Sequence, residues 1–311
     1  MPPEARQNFE LSPARVAALD SVSERRAVAA GLFELTKPRL SFLSVVTALV
    51  GYLTAQPERD FWVLFNFLCG TALAAGGAAA LNQWMERRTD ALMRRTQDRP
   101  IPSGTITAAQ AFAWGTSLAT LGVLQILMGA NLLAALLALA TVGSYLLVYT
   151  PLKRRTRWST EVGAISGALP PLIGWAAARG TIDGLGWVLF AVLFFWQIPH
   201  FMAIAWIYRR DYKAAHFPML PVIDESGRFT AQWSLVNTLA LVAATLAAVY
   251  FGFSGWFYGA VAIALGAVFL ILSARLLATT QREIAARRVF FYSIVYLPAL
   301  LAVLVLDRWS A

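Results

Sequence analysis

The stretch Asn82-Gln-Trp-Met-Glu86-Arg-Arg-Thr-Asp90 places an amide and two carboxylates at i, i+4 and i+8. On a helix each four-residue step drifts by about 40°, so the three side chains share one face over roughly 12 Å. Two carboxylates one turn apart repel by roughly 0.2–0.5 kcal/mol. A hard divalent cation turns that repulsion into coordination, because Mg²⁺ takes oxygen ligands and is held by a carboxylate or two together with substrate phosphates. Arg87, Arg88, Arg94, Arg95 and Arg99 follow directly and suit those phosphate oxygens. The plainer alternative is a solvated helix end, with Asp90 and Arg94 as an ordinary i, i+4 ion pair and the arginines as a topology signal.

The elements that carry this motif are membrane helices. With 58% hydrophobic and 14% charged residues, the chain departs from the soluble average of about 45–50% apolar and 25% charged. Apolar runs near the span length of about 20 residues occur at 40–57, 61–82, 108–128, 131–149, 160–178, 185–207, 233–253, 257–276 and 289–306. The fold class expected is therefore all-α and polytopic, with nine transmembrane helices spanning 38–311. Residues 1–37 are polar and lack the apolar core of a signal peptide, and their acidic residues fit a transit peptide badly. A disordered cytoplasmic tail is expected there.

All but Arg59, Arg179 and Arg308 of the 26 Lys and Arg fall in the N-terminal segment or in alternate loops. Basic loops face the cytoplasm. This predicts a cytoplasmic N-terminus, a periplasmic C-terminus, and the Asn82/Glu86/Asp90 end of the second helix inside. The net charge of +9 then needs no nucleic acid, since a basic inner face lies against anionic lipid of the bilayer. Cys69 is the single cysteine, and a packing role inside a helix suits it. No zinc spacing, phosphate-loop glycine pattern or nucleophile motif is present.

Two further segments lie on the same side. One follows the sixth run, from Trp196 through Pro199-His200 to Asp211 and Pro218-Met-Leu-Pro221, and ends a helix in an acid beside arginines, as the first motif does. Asp211 by itself is equally a boundary charge. The other, Tyr149-Thr-Pro151-Leu-Lys153-Arg154-Arg155-Thr-Arg157, has four cations in five positions, which either clamp phosphate oxygens or mark topology. Gly70, Gly76 and Gly77 point to close helix packing. A transporter with charged groups at the vestibule and Pro170-Pro171 in a gate is the alternative from another functional class.

These segments together carry a family resemblance. Thr36-Lys37-Pro38-Arg39-Leu40, Asn82 through Gly104, Tyr149 through Arg154, Gly167 through Trp175, and Pro199-His200-Phe201 with Asp211-Tyr212 and Pro218 through Pro221 occur in the order seen in the UbiA superfamily of intramembrane prenyltransferases. The chain resembles that superfamily over about residues 36–221, and within it the branch that farnesylates protohaem IX. The resemblance implies a helical bundle with a central cavity open to the cytoplasmic side of a bacterial inner membrane. It implies Mg²⁺ and diphosphate at Asn82, Glu86, Asp90 and Asp211, and diphosphate contacts from Arg95, Lys153 and Arg154. Farnesyl diphosphate and protohaem IX are the implied substrates, with haem A synthase or terminal oxidase assembly factors as partners. A sibling that prenylates 4-hydroxybenzoate would share the diphosphate site. Three positions depart from the family pattern: Glu86 where Asp is more usual, Arg210 directly before Asp211, and His216 at a position that is commonly small.

His200 brings haem into the residue-level reading. An ionisable group inside an apolar helix is costly unless it faces a cavity or partner, and imidazole is an axial ligand for haem iron. The alternative is a histidine that bonds backbone carbonyls freed by Pro199.

Overall fold

A computed structural model describes residues 13–56, 60–278 and 280–310, and all regular structure among them is helical. The chain runs through α1 (Pro13–Leu35), α2 (Pro38–Thr54), α3 (Phe61–Asp90), α4 (Ala108–Gly129) and α5 (Leu132–Gly143). A π-helical segment, Ser144–Tyr149, extends α5 into the short α6 (Thr150–Leu152). Next come α7 (Ser159–Ala168), α8 (Pro170–Arg179), α9 (Gly184–Ile207), α10 (Arg209–Ala214) and α11 (Leu220–Ile223). The last three are α12 (Arg228–Tyr250), α13 (Trp256–Ala274) and α14 (Arg282–Ser310).

Of the nine apolar runs read from sequence, seven are helices long and apolar enough to cross a membrane. The other two are the 17-residue α2 and the pair α7–α8. Pro170 and Pro171 divide that pair, because proline has no N–H to continue a helix yet fits its first turn. Side-chain caps start three consecutive helices: Asp60 accepts from Trp62 N and Val63 N on α3, Thr107 and Gln110 form a capping box on α4, and Asn131 accepts from Ala134 N on α5.

Without water between helices, close backbone approach supplies the packing. A Cβ on Gly77 would stand 2.6 Å from the Gly115 carbonyl oxygen, and one on Gly70 would stand 2.7 Å from that of Gly122. These glycines lock α3 against α4 and so fix the direction in which Asn82, Glu86 and Asp90 point. The second half packs α8, α9 and α12–α14 around Trp175, Leu189, Tyr258, Phe269, Tyr296 and Leu300.

Charge is sorted to the two ends of the bundle. Arg179 donates to Ala55 O, and Arg308 to Thr54 O and Phe253 O, tying together the ends of α2, α8 and α14. Lys37, at the other end of α2, donates to Asn82 in the C-terminal part of α3 and lines the same cavity as Lys153 of the loop after α6. Arg59 lies outside the described residues.

One expectation is corrected. The segment 1–37 was expected to be disordered, but Pro13–Leu35 is helical; residues 1–12 lie outside the described residues. Leu35 is fully buried with Ala80, Ile106 and Ala111, its carbonyl accepts from Gln83 Nε2 at 2.8 Å, and Leu32 O accepts from Trp114 Nε1 at 3.1 Å. Tertiary contacts with α3 and α4 hold this helix, and a polar composition read locally gives no sign of them.

Candidate active site

The last three turns of α3 bring Asn82, Glu86 and Asp90 onto one buried face, with 2%, 3% and 1% exposure. Buried carboxylates need partners, and each has a cation. Lys153 Nζ donates to Glu86 Oε1 at 3.1 Å and to Oε2 at 3.3 Å. Arg99 Nη1 donates to Asp90 Oδ2 at 2.7 Å. The i, i+4 pair of Asp90 with Arg94 does not form, because α3 ends at Asp90 and Arg94 lies beyond it in the turns. Asn82 donates to Thr150 Oγ1 at 3.1 Å and accepts from Lys37 Nζ at 3.4 Å. Asp90 Oδ1 is buried without a partner.

Lys37 was not among the residues singled out for the site. It adopts a left-handed backbone, φ 46°, directly before Pro38 at N1 of α2. A residue before proline avoids the right-handed helical region, and a non-glycine residue at positive φ is strained. That turn directs the side chain inward, and burial, with Arg99 adding repulsion, pushes its ammonium down to about 8. Only the Lys-Pro pair in the sequence hinted at this turn. Three cations, Lys37, Arg99 and Lys153, thus face two carboxylates, leaving one positive charge in excess for an anionic ligand.

Beside this cluster lies a cavity of about 370 Å³, with Lys37 and Lys153 at its polar end. Ala74, Ala75, Ala78 and Ala79 of α3 line one wall, and Tyr145 and Tyr149 line another. Those tyrosine rings stack at 5.4 Å within the π-helical segment, an irregularity that re-aims side chains and recurs at functional sites. From Thr71 to Ala79 the wall is about 12 Å long at 1.5 Å per residue. The site is thus a charged anion pocket continuous with a long apolar slot.

The remaining candidates divide. Arg154 is exposed and donates to Thr89 Oγ1 at 2.9 Å, beside the α3 end. Arg95 donates to Tyr212 OH at 3.3 Å, and its guanidinium lies over the rings of Tyr208 and Tyr212. It therefore clamps the α10 loop to the α3–α4 loop. Asp211, on α10, is half-buried, and no group of three or more Asp, Glu, His or Cys forms a metal cluster among the described residues. Glu86 and Asp90 each pair with a cation from another segment, and Tyr212 rather than Asp211 lines the cavity. His200 is absent from the cavity wall, although Gln197, Phe201 and Ile204 of the same helix line it. Three residues past Gln197, it is rotated about 60° to the flank of that face. Trp84 packs with Phe112 and Trp196 with His200, and neither tryptophan lines the slot.

The description "UbiA prenyltransferase family" matches residues 44–295. A relative from Opitutus terrae named protoheme IX farnesyltransferase is 56% identical over 276 residues, covering 88% of this chain and 93% of its own. A digeranylgeranylglyceryl phosphate synthase structure superposes with a TM-score of 0.78 at 15% identity, covering 91% of this chain and 99% of its own. A UbiA homologue from Archaeoglobus fulgidus, bound to DMAPP and Mg²⁺, has a TM-score of 0.64 at 14% identity, covering 86% and 99% of the two chains. The matched residues take in the α3 acids, Lys153 and most of the helical bundle, so the chain belongs to the UbiA prenyltransferase family.

Proposed function

We propose that the protein transfers a farnesyl group from farnesyl diphosphate to a vinyl group of protohaem IX, with Mg²⁺, releasing diphosphate. The observation that carries the reading is the join between a cation-rich pocket and an apolar slot. The acceptor follows from the 56% identical relative named for that reaction.

Diphosphate takes the polar end, where Lys37, Lys153 and Arg99 supply charge and Arg154 and Arg95 border the entrance. The prenyl tail lies along the alanine wall of α3. Asn82, Glu86 and Asp90 fit a hard cation, since all offer oxygen and Asp90 Oδ1 still lacks a partner. When bound, such a cation neutralises the departing diphosphate. Asp211 is assigned as the second acidic element, on the helix that brings Tyr212 to the slot.

The allylic C–O bond breaks with its electron pair leaving on diphosphate. The faces of Tyr145 and Tyr149 stabilise the allylic cation by about 0.5–2 kcal/mol each, and the apolar slot keeps water from quenching it. The vinyl π electrons of protohaem form the new C–C bond. Water then adds to the resulting cation and loses a proton, giving a hydroxyethylfarnesyl substituent. His200, at the flank of the slot, holds the acceptor.

The bundle is read as nine spans in a bacterial inner membrane, counting α2 and α7–α8 as two of them, with the N-terminus and the cavity mouth cytoplasmic and the C-terminus periplasmic. The test is purified protein in detergent with farnesyl diphosphate, Mg²⁺ and either protohaem IX or 4-hydroxybenzoate. Farnesylated haem is expected. Prenylated 4-hydroxybenzoate with unchanged haem would transfer the assignment to the sibling activity.

A further inference from the structure

His200 is held by more than its helix needs. Its ring stacks on Trp196 at 4.8 Å, meets Phe201 edge-on at 5.2 Å and lies against Phe290 of α14 at 5.2 Å. Its Nδ1 stands 2.7 Å from Ser293 Oγ, while Trp196 Nε1 donates to Ser293 O at 2.9 Å. Ser293 is fully buried.

The proton positions follow from counting. Ser293 Oγ lies 2.6 Å from the Phe290 carbonyl oxygen, a separation at which two oxygens need a proton between them. A hydroxyl has one proton to give. Having donated it to Phe290 O, Ser293 faces Nδ1 as an acceptor, so Nδ1 carries the imidazole proton. Nε2 of the neutral ring is then a bare lone pair. It makes no hydrogen bond among the described residues, and it is not one of the buried polar atoms left without a partner. The lone pair is therefore accessible at the flank of α9, next to the slot-lining Phe201.

We infer that Ser293 is a positioning residue that fixes His200 as the Nδ1–H tautomer and presents Nε2 as the iron ligand for an incoming metalloporphyrin. This rests on the haem-acceptor reading above and adds to it an iron ligand, its orientation and the side chain that sets both. Outer partners of this kind orient a metal-binding histidine and raise its basicity, and their loss costs about 10–100-fold in affinity. The three aromatic contacts fix the ring plane so that the tautomer, not rotation, decides what the porphyrin meets.

The test is titration of the full-length protein in detergent with ferrous protohaem IX, read by affinity and by the iron–imidazole stretching band in resonance Raman spectra. Ser293→Ala is expected to weaken binding by about 10–100-fold and to lower the stretching frequency. Ser293→Thr, which keeps the acceptor, restores both, and His200→Ala loses the band. Mg²⁺-dependent binding of a farnesyl diphosphate analogue reports that each variant is folded; if Ser293→Ala is not, Ser293→Cys, a weaker acceptor, gives an intermediate frequency. Parental affinity and frequency in folded Ser293→Ala overturn the role of Ser293. A parental band in His200→Ala overturns the ligand assignment, even while the parent still makes farnesylated haem. A parent that neither binds nor farnesylates haem overturns the acceptor reading itself, and the ligand inference with it.

Discussion

Neutralising Glu86 should have opposite effects on diphosphate binding and on turnover. In the absence of ligand, Glu86 holds Lys153 Nζ at 3.1 Å with both groups largely buried. At an effective dielectric of 20, that separation corresponds to an attraction of about 5 kcal/mol, most of which desolvation offsets. A residual coupling of about 1.4 kcal/mol, or tenfold, is what diphosphate must overcome to recruit Lys153. Glu86→Gln keeps the shape and a neutral acceptor, and Phe217, whose ring lies 4.7 Å from Nζ, still supports the ammonium. In chelator, Glu86→Gln should therefore bind a non-hydrolysable farnesyl diphosphate analogue about tenfold tighter than the parent. Added Mg²⁺ should strengthen binding in the parent and do little in the variant, because an amide holds a hard cation poorly. Turnover should fall at least about 100-fold, some 2.7 kcal/mol of transition-state stabilisation. Calorimetric titration with and without Mg²⁺ measures each quantity. Parental affinity in chelator, together with a full Mg²⁺ enhancement, would refute both the ion-pair gate and the cation site.

Other consequences are as direct. Asp90→Asn removes the unpartnered Oδ1 charge and breaks the pair with Arg99, so Mg²⁺-dependent turnover should fall about 100-fold in protein that still inserts; a parental rate at limiting Mg²⁺ would oppose the assignment. Ala75→Phe on the slot wall should move preference from farnesyl toward geranyl diphosphate, read as a change in the kcat/KM ratio. Gly77→Val drives a side chain into the α4 backbone and should lower stability by about 1–3 kcal/mol or more, seen in thermal melts in detergent. With Cys69 replaced, cysteines at Arg94 and Arg155 should resist an impermeant reagent outside intact cells, while one at the exposed Asp183 is labelled; the reverse order contradicts the orientation proposed.

Features that repeat along one helix were legible in the sequence. The 82/86/90 spacing survives as a buried face of α3, the apolar runs became helices, and Pro170-Pro171 marked a real break. What depends on contacts between segments was not. Lys153 and Arg99 as the partners of Glu86 and Asp90 come from the fold, since the helix ends before an i, i+4 partner for Asp90 is reached. Lys37 is carried inward by a strained turn, the π-helical aim of Tyr145 and Tyr149 has no local signature, and α1 is held by Gln83 and Trp114 from other helices. His200 was expected at the haem; the structure places it at the flank of the slot, locked to a serine 93 positions away in the chain.

The measurement that bears most directly on the account is mass spectrometry of haems extracted from bacterial membranes with and without this chain, in a host lacking its own haem-farnesylating enzyme. A new haem heavier by one farnesyl group and one hydroxyl group is expected, present with the parent and absent with Glu86→Gln. Unmodified protohaem alone, in membranes that hold the folded parent protein, would contradict it.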